Sequence, residues 1–166
     1  LRFVTLPTLA HERAALDLAG QNKTHLTEME LVVQVDIIFR NLKARGLLEY
    51  FDRLAATPGV ARALFRAIQE LRFSGISSLN LRPENLCVEA KGRDLVRIFE
   101  AYEGVLEASG GIDLPELFSS ALAGMASRSP AARAPERNAD GNGAAWYLFL
   151  ETRSLTRLER EFLEAV

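Results

Sequence analysis

Only one cysteine, Cys87, occurs in 166 residues, so no internal disulfide framework exists. A lone thiol fits a reducing cytoplasm. Two histidines, His11 and His25, are all the imidazoles there are. Neither has a partner at a spacing that makes a recognisable metal site. No apolar run approaches the roughly 20 residues that span a bilayer, so a membrane is not an expected partner. The N-terminus lacks a charged start, a long apolar run and a small-residue cleavage site. It also begins without Met, directly in a strand-like run, which suggests a piece of a longer protein. Net charge is only −2, so no global basic field draws the chain to nucleic acid, and any DNA contact would be local. No internal repeat occurs, and no serine stands in a nucleophile-elbow pattern.

What is present suits one helical domain. Apolar residues make up 48% and charged residues 25%, enough for a real core in a chain of this length. Residues 2–6 (RFVTL) read as a short strand stopped by Pro7, with Thr8 capping a helix over 9–19. Thr27 and Glu30 form a capping box. Behind it Leu31, Val35, Ile38 and Leu42 recur at helical spacing, widened by Val32 and Phe39, and Gly46 ends the run. Residues 47–54 read as a short apolar helix. Pro58 suits a first helical position, and Val60, Leu64, Ile68 and Leu71 predict the buried stripe behind it. A polar connector over 76–86 offers a helix start at Pro83. Leu95, Ile98, Phe99, Tyr102 and Leu106 follow on a helix stopped by Gly110 and Gly111. Asp113 caps another through about residue 123, with Pro115 in its first turn.

Residues 124–145 change character: rich in Ala, Ser, Arg, Pro, Gly and Asn, they read as a flexible loop. Residues 146–150 (WYLFL) are apolar at every position and read as a strand buried on both faces. Thr156 and Glu159 offer a capping box for a last helix carrying Leu158, Phe162 and Val166. Two isolated strands are marginal in water. The layout therefore implies a mainly α fold, a helical insert between two short strands of a larger α/β sheet mostly outside this chain.

Candidate chemistry is sparse. Residues 20–24 (GQNKT) look like the tail of a phosphate-binding loop, but Asp17 and Asn22 stand where glycines are needed, and an ordinary turn explains them better. Glu151 ends the second strand where NTPases place a Mg²⁺ ligand, yet the usual Asp-Glu pair is one carboxylate short. Cys87 has no activating neighbour and reads as an apolar filler. Arg62, Arg66 and Arg72, with Lys91, Arg93 and Arg97, form a candidate phosphate-contacting set. Against that, a solvated helix face, with Glu70 pairing Arg66 at i, i+4, explains them somewhat better in a chain of acidic pI.

Several segments together resemble the N-terminal region of the B-type, non-motor component of ATP-dependent helicase/nucleases, a relative of UvrD-type superfamily 1 helicases in bacterial double-strand-break repair. Residues 3–10 (FVTLPTLA) are similar to the strand-and-turn motif that touches single-stranded DNA from the first motor domain. Residues 58–64 (PGVARAL), 70–75 (ELRFSG) and 91–106 are similar to the helical insert, subdomain 1B. Residues 146–163, ending LEREFL, are similar to the return strand and helix at the Walker B position, with Glu151 at its degenerate acid. The resemblance divides the chain into 1–8 and 146–166 as helicase-like core, 9–123 as helical subdomain and 124–145 as loop. It implies Thr5 and Thr8 as DNA-backbone contacts, and single-stranded or forked DNA and a motor subunit as partners. ATP and Mg²⁺ would belong to the parent, since the chain has neither an intact phosphate loop nor a nuclease motif. The resulting expectation is a non-catalytic DNA-handling or subunit-docking piece of a DNA-repair helicase/exonuclease. A helical protein–protein interaction module without nucleic-acid binding is the alternative. An intact small enzyme would need converging Glu, His and Cys side chains, which the spacing does not suggest.

Overall fold

The computed structural model describes residues 4–127 and 154–166. Those residues are mainly helical, in the order α1 (Leu6–Gly20), β1 (Thr24–His25), α2 (Glu28–Ala44), α3 (Pro58–Phe73), α4 (Glu89–Ser109), β2 (Gly111–Ile112), α5 (Leu114–Ser127) and α6 (Arg157–Ala165). The second expected strand, over 146–150, most of the 124–145 stretch and Glu151 lie outside the described residues.

The first expected strand is corrected. Within residues 4–6 there is no strand, and Leu6 already opens α1. Pro7 sits in the first turn, where its missing N–H is not needed. Thr5, not Thr8, is the cap: the Thr8 amide donates to the Thr5 Oγ1 at 3.3 Å. Capping at the helix start outweighs the β-propensity of the flanking residues. α1 thus runs across the expected boundary between residues 8 and 9.

The expected capping box of α2 is present. The Glu30 amide donates to Thr27 Oγ1 at 3.4 Å, and the Thr27 amide donates to Glu30 Oε2 at 2.8 Å. Leu31, Val32, Val35, Ile38 and Phe39 are buried, and Gly46 takes a left-handed φ of 65° just past the helix end. Residues 47–54, however, form no helix. Asp94 of α4, fully buried, accepts the backbone N–H groups of Glu49, Tyr50 and Phe51 at 2.8–3.0 Å. A carboxylate from another helix takes these donors, so the segment is tied down as an irregular turn that buries Leu48 and Phe51.

α3 starts at Pro58 with Thr57 as cap. Its buried face is Ala61, Leu64, Phe65 and Ile68, with Val60 and Leu71 half-buried at its edges. α4 buries all five of its expected apolar residues. The helix start expected at Pro83 is only a 3-10 turn, Pro83–Asn85. It lies directly over Gly92: a Cβ there would sit 2.7 Å from the Pro83 carbonyl oxygen and 2.8 Å from its Cα. Gly92→Ala should therefore lose about 1–3 kcal/mol from overpacking, where an unhindered helical site would gain about 0.5–1. Urea unfolding reads the difference, and an increased midpoint would disprove the close backbone approach.

Two apolar cores result. The first joins α2, α3, α4 and the turn containing Leu48 and Phe51. The second joins α1, α5 and α6 around Phe118, whose ring lies 5.2 Å from that of Phe162 and 6.2 Å from that of Phe73. β1 and β2 pair in parallel, Thr24 with Gly111 and His25 with Ile112, and stitch the start of the block to its end. Neither two-residue strand has a sequence pattern long enough to announce it.

Candidate nucleic-acid interface

Thr5 and Thr8 occupy the first turn of α1 and are both exposed. Their hydroxyls lie 2.8 Å apart and share a hydrogen bond, so between them one hydroxyl proton remains for an outside acceptor.

The six candidate cations separate into two groups. Arg93 bonds Glu89 at 2.7 Å and Glu49 at 2.8 Å. Arg97 donates to the Leu47 carbonyl at 2.9 Å and stands 3.5 Å from Asp94. These two hold the turn at 47–51 against α4. Arg72 is largely buried and belongs to a polar seam between the two cores. By contrast, Arg62, Arg66 and Lys91 are exposed and make no hydrogen bond or ion pair with another described residue. The expected Arg66–Glu70 pair does not form among them. Arg62 and Arg66 stand one turn apart on α3, a rise of about 6 Å at four residues.

The seam has no sequence signature beyond Asp113 as a cap. Fully buried, Asp113 accepts from the Gln69 amide at 2.9 Å, the Tyr102 hydroxyl at 3.0 Å, Arg72 Nη2 at 3.1 Å and the Glu116 backbone N–H at 3.1 Å. Arg72 Nε also lies 2.7 Å from Asp113 Oδ2, close enough for ion pairing but misaligned for a hydrogen bond. The same guanidinium bonds Glu103 at 3.0 Å and approaches Glu116 at 3.4 Å, and Lys23 bonds Glu116 at 2.6 Å. Burial opposes the Arg72 charge, but Asp113, Tyr102 and Glu103 outweigh it and hold its pKa above the ordinary value. Burial, followed by the Asp113 charge, pushes the Tyr102 phenol well upward, so it remains a donor. Gln69 and Arg72 lie off the apolar stripe of α3, the one further hint that the sequence carries.

Beside the seam lies a groove of about 560 Å³ that touches α1, α2, α3, α5 and the Thr156 cap of α6. His25 opens onto it and meets His11 edge-on, ring centroids 6.5 Å apart. Burial, then the His11 charge, lowers the His25 pKa, with Asp113 acting in the opposite sense. Among the described residues no group of three or more His, Cys, Asp or Glu side chains is placed to hold a metal ion. No described helix is long and apolar enough to cross a membrane. Cys87, expected as a filler, is exposed. No family model matches this chain, and no curated protein or solved structure matches it.

Proposed function

We propose that this chain is the helical insert of a DNA-repair helicase/exonuclease, similar to the B-type component of ATP-dependent helicase/nucleases, and that it handles DNA without catalysing a reaction. The observation that carries the reading is the pair Arg62 and Arg66: exposed, without a partner among the described residues, and one helical turn apart on α3. Free guanidinium groups at that spacing suit successive phosphates of one strand. Thr5 and Thr8 add hydroxyls at the start of α1, and Lys91 adds a third free cation. In this reading the larger α/β sheet, ATP, Mg²⁺ and the motor subunit belong to the parent protein in the cytoplasm, with Glu151 its degenerate Walker B acid.

Fluorescence anisotropy with labelled single-stranded and forked DNA tests it. Binding should appear at low salt. Loss of two phosphate contacts in an Arg62→Ala, Arg66→Ala double variant should flatten the single-strand slope of log affinity against log salt by about 1.4. Arg93→Ala, whose side chain is held by Glu49 and Glu89, should change it far less. No binding at any salt, or a double variant that binds like the parent, would remove the DNA role.

A further inference from the structure

The groove beside the seam has a chemistry of its own. Its apolar walls come from both cores: Leu26, Leu31 and Phe65 from the first, Phe73 and Leu114 from the second. Three charges line it, Glu28, Glu70 and Arg66, and none has a hydrogen bond or ion pair with another described residue. Two unpaired carboxylates against one guanidinium give it a net negative rim. A phosphate-bearing occupant would meet repulsion from both acids. An apolar side chain would instead gain by leaving water, and a neighbouring cation would find Glu28 and Glu70 with no hydrogen bond or ion pair to another described residue.

We propose that this groove docks a segment of a partner protein that inserts a bulky apolar or aromatic side chain, with a Lys or Arg nearby to meet Glu28 and Glu70. The assignment goes beyond the DNA reading and shares only Arg66 with it. Anchors of this kind concentrate binding energy where two bodies form one concave surface.

The experiment selects short random peptides by display on the intact chain. The enriched peptides should share a Phe, Trp or Leu close to a Lys or Arg. A synthetic peptide of that consensus should lose about tenfold or more in affinity for a Glu28→Lys, Glu70→Lys double variant. Both glutamates are exposed, so the variant should fold, and its circular dichroism melt checks this. Arg62→Ala, outside the groove, should weaken single-stranded DNA binding and leave the peptide affinity unchanged, so the two ideas fail separately. Acidic or patternless peptides, or unchanged affinity in the double variant, would overturn the docking assignment.

Discussion

Asp113→Ala should cost about 3–5 kcal/mol, a large part of the stability of a domain this size. The reason is not a single lost bond. Four donors on three helices converge on this fully buried carboxylate. Removing it leaves the Arg72 guanidinium in a protein interior with Glu103 and Glu116 only partly compensating. It strands the Tyr102 hydroxyl proton, costing about 1–3 kcal/mol when unsatisfied, and leaves the Gln69 amide only its 3.3 Å bond to the Tyr102 oxygen. It also uncaps α5, worth about 1 more. These terms overlap, so they do not add. Asp113→Asn should cost less, because the amide keeps an accepting oxygen but loses the charge. Urea melts of the two variants, with Arg72→Met and the double variant, complete the cycle. Coupling near zero between positions 72 and 113 would show that the seam does not act as a unit.

The second large effect concerns α6. At nine residues it is too short to persist alone in water. Its capping box at Thr156 and Glu159 fixes where it starts, not where it sits. Phe162 does that, fully buried with its ring edge-on to Phe118. Phe162→Ala should therefore cost about 3–5 kcal/mol. The loss should be local first: α6 amides lose hydrogen-exchange protection while α2 and α4 keep theirs. A loss under about 1 kcal/mol would mean that the second core closes around Phe118 without the Phe162 ring.

Local rules read best from the sequence. The capping boxes at Thr27 and Thr156, the glycine stops at Gly46 and Gly110, and the apolar faces of α2 and α4 all follow from near-neighbour spacing. Expectation and structure part where a distant group intervenes or a local competition is close. Asp94 reaches across forty-odd residues of chain to Glu49, Tyr50 and Phe51, and no periodicity within 47–54 announces that. At residues 4–6 strand propensity and helix capping compete, and the Thr5 hydroxyl decides the outcome. The candidate cations divide for the same reason. Arg72, Arg93 and Arg97 resemble Arg62 and Arg66 in sequence, but tertiary partners engage the first three, and the other two have none among the described residues. The groove is illegible in the sequence because it exists only once six segments meet.

The parallel pairing of Thr24 and His25 with Gly111 and Ile112 also bears on how this chain reaches its shape. To pair them in an unfolded chain means closing a loop over residues 26–110, an entropic cost that grows with loop length. Once α2, α3 and α4 have collapsed on their own core, the same two ends are separated only by a short rigid body. The first core thus shortens the search for the second. On that topology α1, α5 and α6 are expected to clasp late onto an earlier first core, with His25 and Ile112 the teeth at which it shuts; low φ-values in them against higher ones in α2, α3 and α4 would show that order.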